Sequence, residues 1–172
     1  EDNHYRDYYH GTFSHNTVLV DNKSQSEGPV EGVTFIDDEL FTYQSGKHYL
    51  YDGVEHKRGM MLLGRDYLLI IDELSSEDVH NYSQQFLFAP GISYMQDNGV
   101  ARGVGRDSEV LFSLMQLTGD DYHVTDYHGS DEPYRGWCSE SYKEDIECFQ
   151  VGYNTLARNV SYVTLISMSN DT

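Results

Sequence analysis

Basic side chains, cysteine and proline are all scarce in this chain: 11 Lys and Arg stand against 29 Asp and Glu, with two Cys and three Pro among 172 residues. Each shortage excludes something. A formal charge of −18 makes a surface that repels phosphate and sulfate, which sets nucleic acid aside as a partner. Two cysteines cannot build a zinc cluster or a disulfide framework. Cys138 and Cys148 leave two alternatives open, one disulfide formed in an oxidising compartment or two free thiols. The longest apolar run, Tyr67 to Ile71, has the size of a buried strand, and no stretch of these residues resembles a signal peptide or a membrane span, which decides little because the first residues read as the middle of something larger. Fixed-period repeats and low-complexity segments are missing as well, which disfavours solenoids and propellers.

What the chain does have is sheet material. Fifteen Tyr and 15 Gly accompany plentiful Val, Ile, Phe and Thr, the supply for twisted strands joined by tight turns. The length suits one domain with a core burying roughly two-thirds of the unfolded surface. Strands are expected at Thr17 to Asp21, Val30 to Asp37, Leu40 to Gln44, Lys47 to His56, Tyr82 to Phe88, Ile92 to Gln96, Ala101 to Val104, Glu109 to Leu117, Tyr122 to Tyr127, Ile146 to Tyr153 and Asn159 to Met168. A hairpin joins Gly59 to Leu63 with Tyr67 to Ile71 through Gly64-Arg65-Asp66. Both of its arms are apolar on both faces, so it is expected at the centre, covered on each side. About eleven strands and no amphipathic helix of ~10 residues imply an all-β fold, a two-layer antiparallel β-sandwich spanning residues 1–172 as one domain.

Three stretches carry more than fold. Ser14-His15-Asn16-Thr17-Val18-Leu19-Val20-Asp21, with Gln25 behind it, puts a histidine and an asparagine at the mouth of a strand. His56-Lys57-Arg58 precedes the apolar arm ending Ile70-Ile71-Asp72-Glu73-Leu74, with His80 and Phe86-Leu87-Phe88 beyond. Pro133-Tyr134-Arg135-Gly136-Trp137-Cys138-Ser139, with Tyr142, is the third. In order and spacing they resemble the β-sandwich part of the heparinase II/III family of polysaccharide lyases, in its His-Asn-Thr, His-x-Arg and Gly-Trp-x-Ser segments. The resemblance covers nearly the whole chain but only part of the family's architecture, in which an amino-terminal α/α toroid precedes the sandwich. It implies that residues 1–172 are the carboxy-terminal part of a larger bacterial lyase, exported to the periplasm or beyond.

The implied chemistry is β-elimination on a uronate-containing polysaccharide, an anionic partner. The C5 proton is removed, the C4 glycosidic oxygen is expelled and protonated, and the uronate carboxylate must be neutralised. Tyr5, Tyr8 and Tyr9 are the catalytic candidates on this chain, an acid or base role being open to a phenol whose pKa a neighbour such as Arg6 lowers. His15 matches a histidine that completes a structural zinc site in the family, with a histidine and an aspartate supplied from upstream; His10 or His4 would be the local substitutes. Asn16 either orients His15 or caps the strand. His56 and Arg58 face one side of a strand and meet either the toroid, a sugar carboxylate or an internal acid. Trp137 suits stacking on a pyranose or the core, and Arg135 beside it suits a carboxylate. Asp37-Asp38-Glu39 and Asp120-Asp121 are solvated turns. With the toroid's groups missing, the isolated chain is expected to be inactive. The rival reading is a non-catalytic carbohydrate-binding or scaffolding domain, distinguished by whether Trp137 and Arg58 share an exposed groove.

Overall fold

The computed structural model describes residues 4–107, 109–118, 122–141 and 144–168. A short helix α1 (His4–His10) and a single 3₁₀ turn (Thr12–Ser14) lead into β1 (Val18–Val20), β2 (Glu31–Asp37), β3 (Phe41–Tyr51), β4 (Val54–Leu63) and β5 (Tyr67–Leu87). There follow β6 (Ser93–Asp97), β7 (Val100–Val104), β8 (Val110–Gln116), β9 (His123–His128), β10 (Ser130–Asp131), β11 (Tyr134–Arg135), β12 (Trp137–Cys138), β13 (Ile146–Glu147) and β14 (Phe149–Met168). Tyr142 and the Asp120-Asp121 pair lie outside the described residues.

Two long strands organise everything else. β5 and β14 pair antiparallel from Gln150 opposite Leu87 to Ser167 opposite Tyr67, with one bulge between Ala157 and Asn159. Along the first half of β5 the sheet continues through β4, β3 and β2; beyond the second half of β14 it continues through β8, β7 and β6. The other halves carry β1, on β5 at Tyr82 to Gln84, and β9, on β14 at Phe149 to Asn154. Each long strand therefore belongs to both layers, and the sheet folds over on itself.

One contact proves the fold-over. Gln84 Nε2 donates to Asp72 Oδ2 at 2.8 Å, although twelve residues of straight strand would separate them by about 40 Å at ~3.3 Å per residue. Side chains of both halves share one core: Ile70, Leu74, Tyr162 and Leu114 from the first layer meet Val18, Tyr82, Phe86 and Tyr153 from the second. The Tyr162 hydroxyl crosses between them to the Tyr82 carbonyl at 3.1 Å. The all-β sandwich expected from composition is the observed architecture.

Several strand expectations change in detail. Tyr67 to Ile71 and Tyr82 to Phe88 are not separate strands but parts of β5, and the two carboxy-terminal strands are likewise one, β14. The polar stretch Ser75 to Asn81, whose side chains are mostly exposed, reads as a connection, yet it stays within β5: Ser75, His80 and Asn81 pair with β14 and Ser76 with β4, while Glu77 to Val79 fall in the register break. Lys47 to His56 is cut by the turn at Asp52-Gly53, where Gly53 takes φ +70°. The Gly64 hairpin forms and its strands are central in the sheet order, but its tip is not covered on each side. Met60, Leu62, Leu63 and Tyr67 are between 38 and 48% exposed, because no strand of the second layer lies over the tip; the core begins only at Ile70.

Where the layers meet, the core is polar. Asp72, fully buried, accepts from His56 Nε2 at 2.7 Å, from Arg58 Nε at 2.7 Å and Nη2 at 2.8 Å, and from Gln84. Gln84 Oε1 in turn accepts from Thr164 at 2.8 Å and from Gln116. Burial pushes the Asp72 carboxyl up, but the His56 and Arg58 hydrogen bonds overcome it and hold the group well below the usual carboxylate range. His48, whose ring meets that of His56 edge-on at 4.8 Å, is pushed down to about 4, by burial first and then by His56 and Arg58.

Acid unfolding should accordingly proceed in two stages. The depressed His48 contributes stability that is lost as pH falls from about 6.5 toward 4, and the depressed Asp72 contributes stability that is lost only below about 4. In equilibrium denaturation against pH, His48→Gln should remove the upper stage. Asp72→Asn should remove the lower one and cost about 3–5 kcal/mol at neutral pH, the range for a broken buried pair.

Candidate functional site

The sequence between Gly129 and Cys148 is too polar for a core strand, and it folds as a strap of two small ribbons, β10 with β11 and β12 with β13. Gly136 makes the strap close. It takes φ +71°, and a Cβ there would sit 2.7 Å from the Cys148 carbonyl, so no other residue fits without strain. Cys138 and Cys148 are disulfide-bonded, with Cα atoms 5.9 Å apart, which decides between the two alternatives left by the sequence.

α1 lies against this strap. The Tyr8 hydroxyl donates to the Trp137 carbonyl at 3.4 Å and accepts from the Trp137 amide at 3.3 Å. The Tyr9 hydroxyl reaches Asp145 Oδ1 at 2.8 Å and the Cys138 carbonyl at 3.1 Å, while the Tyr134 hydroxyl donates to Asp145 Oδ2 at 2.6 Å. Rings of Tyr8 and Tyr134 meet edge-on at 4.9 Å, and Tyr134 stacks on Trp137 at 5.6 Å. The structure thus brings Tyr8, Tyr9, Arg135 and Trp137 into one neighbourhood, from opposite ends of the chain. Asp145, which ties the cluster together, was not singled out from the sequence: one more acid among 29 gives no signal.

The electrostatics run opposite to the lowering expected from Arg6. Burial raises the Tyr8 phenol; burial and then the Asp145 carboxylate raise Tyr9 and Tyr134 far above the ordinary tyrosine range. A phenol next to an anion keeps its proton. These groups stay protonated and donate hydrogen bonds; none of them is set up to remove a proton.

The remaining candidates separate. His56 and Arg58 are spent on Asp72, with Arg58 Nη1 also on the Asn16 carbonyl at 2.6 Å. Of the roles weighed from the sequence, the internal ion pair is the one these contacts fill, and the pair shares no groove with Trp137. Asn16 caps: its Oδ1 accepts from the Leu87 amide at 2.7 Å and locks the entrance of β1 to the end of β5. His15 is exposed, and its Nδ1 donates to the Gly11 carbonyl at 2.8 Å. That bond occupies Nδ1 and leaves Nε2 as the ring atom open to a further partner. Among the described residues no three His, Cys, Asp or Glu side chains converge to hold a metal ion, at His15 or elsewhere.

The heparan sulfate lyase HepC of Pedobacter heparinus superposes with a TM-score of 0.84 at 14% identity, over 98% of this chain and 26% of that one. A heparinase III, the BT4657 gene product, gives 0.80 at 19%, over 96% and 25%, and another heparinase III gives 0.77 at 13%, over 100% and 26%. The family model for the heparinase II/III-like carboxy-terminal domain matches residues 1–163, and the chain belongs to that family. It spans about a quarter of the length of these solved chains. A search of curated protein sequences returns no match.

Titration of ring-labelled tyrosine by NMR should show Tyr9 and Tyr134 still protonated where exposed tyrosines have ionised, above about pH 10. Asp145→Asn should bring both back toward that value. Unchanged titration in the variant would remove Asp145 as the cause.

Proposed function

We propose that this chain is the sandwich domain of a lyase that cleaves a uronate-containing polysaccharide by β-elimination, with the catalytic base and most substrate contacts provided by an amino-terminal toroid. The family match over residues 1–163 carries the reading. Tyr5, Tyr8 and Tyr9 on α1 are the groups this chain offers toward the departing C4 oxygen; Tyr8 and Tyr9 keep their protons and bond to the strap, so a donor role requires substrate to replace those bonds. Trp137 and Arg135, beside them on the strap, are the candidate ring face and cation for the sugar.

His15 Nε2 is the atom that would ligate a structural zinc, the other ligands coming from residues that precede this chain in the larger protein. Bound zinc would tie strands together there and supply no step of the reaction. The disulfide supports an oxidising location, periplasmic or extracellular, and no helix among the described residues is long and apolar enough to cross a membrane.

The test measures ultraviolet absorbance of the unsaturated uronate formed from alginate, heparan sulfate, hyaluronan and pectate. Joined to its toroid, the chain should form product on at least one polymer, while the 172 residues alone should give a flat trace. In the joined protein Tyr9→Phe should lower kcat by roughly 10²–10⁴-fold if it is the donor. Saccharide binding without product in the joined protein would favour the non-catalytic binding domain instead.

A further inference from the structure

Two grooves of the molecule differ in charge. One, of about 810 Å3, is walled by Asp21, Asp52, Glu55, Glu77 and Asp78. The other, of about 570 Å3, lies on the outer face of the second layer, across β1, β5, β14 and β9, and has no carboxylate in its walls. Amides and hydroxyls line it instead: Asn22, Asn81, Ser83, Thr125 and Asn154, with the ring of Tyr127. A third groove, of about 440 Å3 around Tyr122 and Tyr162, also lacks carboxylates, but only the second has an arginine in its wall, which suits it to an uncharged or anionic ligand.

Its floor has a local cause. Gly152 pairs with Gln85 on one side and Thr125 on the other. A Cβ at that position would come within 3.0 Å of Thr125 Oγ1 and 3.1 Å of Ser83 Oγ, so the glycine lets these two hydroxyls close over it and form the floor there. Asn154 is fixed beside them, its Nδ2 donating to the His123 carbonyl at 2.9 Å and to Thr125 Oγ1 at 3.0 Å. A pre-set floor of amide and hydroxyl groups is what a sugar's hydroxyls require.

At one end of the groove stands Arg135, only 6% exposed. Its Nη1 donates to the Tyr134 carbonyl at 2.8 Å and its Nη2 to Asn22 Oδ1 at 2.7 Å, and one face of the guanidinium rests 3.9 Å from the centre of the Phe13 ring. Both side-chain and main-chain partners are neutral. Among the described residues no carboxylate lies within ion-pairing distance of it. A buried cation without an anion is costly to the fold, and its removal from water is offset when a ligand brings the missing charge.

We propose that this groove is a saccharide subsite in which Arg135 takes the carboxylate of a uronic acid unit and the Asn22, Thr125 and Asn154 region takes the hydroxyls of that unit and its neighbour. The inference rests on the uronate-polymer reading above and locates where the sandwich itself holds the chain, on the sheet face rather than at the ring of Trp137.

Amide chemical-shift mapping on the 172-residue chain tests it with three probes: β-1,4-linked tetraglucuronate, cellotetraose and inorganic sulfate. The acidic tetrasaccharide should shift amides of β9, β14 and the strap at Arg135, and it should bind at least about tenfold more tightly than cellotetraose, as one charge-assisted contact implies. Arg135→Gln should abolish that preference; Thr125→Tyr, which occupies the groove and leaves the arginine in place, should weaken both sugars together. Equal binding of the two tetrasaccharides, shifts confined to other surfaces, or sulfate alone reproducing the pattern at equal affinity would each overturn the subsite. If binding maps elsewhere while the joined protein still forms unsaturated product, the subsite falls and the lyase reading stands. If binding maps here and no product forms, the reverse holds.

Discussion

The carboxylate of Asp72 is the constraint on which the rest of this molecule depends. It sits where β5 doubles back on itself, and it is held by a histidine and an arginine from the neighbouring strand β4 and by a glutamine from its own strand twelve residues on. Hydrophobic burial alone would close two sheets over each other in many registers, since apolar contact is non-directional. A buried anion with named donors accepts one register only. Replacing any donor leaves charge or polar groups unpaired inside the core, so the network trades stability for uniqueness. The Gln84, Gln116 and Thr164 contacts extend that specification from β5 to β14 and β8.

Because the fold-over fixes the second layer, it also fixes both surfaces of functional interest. β1, the second half of β5, the first half of β14 and β9 form one sheet whose inner face is core and whose outer face is polar. Gln150 on that outer face accepts from the Gly136 amide and donates to the Phe13 carbonyl and to Gln85, so one buried amide docks both α1 and the strap. The tyrosine cluster and the polar groove are therefore two ends of a single platform. They share the strap residues around Arg135.

Much of this was legible in the sequence, and the failures have a common cause. Alternation of Val18, Leu19 and Val20, the glycine turns and the apolar hairpin arms give strands because local periodicity encodes them. That His56 and Arg58 share a face was legible from strand spacing, and an internal acid was one of the partners weighed for them; that the acid is Asp72 was not legible, because the register between β4 and β5 decides it. The unity of β5 was not legible, because Ser75 to Asn81 has the composition of a loop and only tertiary pairing keeps it extended. The covering of the hairpin tip was misjudged for the converse reason: apolar residues on both faces signal a covered strand, but nothing local says where the covering layer ends. Gln84, Gln116 and Gln150 gave no signal either. A glutamine is ordinarily a surface residue, and its burial is decided by partners far away in sequence.

The charge inventory gives the last step. Four of the 11 Lys and Arg are paired with acids of the domain: Arg58 on Asp72, Lys47 on Glu55, Lys57 on Glu73 and Arg102 near Asp97. With −18 overall, a polyanion approaching at random meets repulsion almost everywhere, and long-range attraction cannot be what brings it to the sandwich. Recognition must then be short-range, at a place where acids are kept away and a cation is left unneutralised. Arg135 satisfies both conditions, and its burial beside Phe13 adds a third: in a poorly solvated setting the same charge binds a carboxylate more strongly than it would in water. On the proposed reading, a toroid that supplies the long-range field and a sandwich that supplies one dry contact would divide the work between capture and registration, which would reconcile a strongly acidic domain with an acidic ligand.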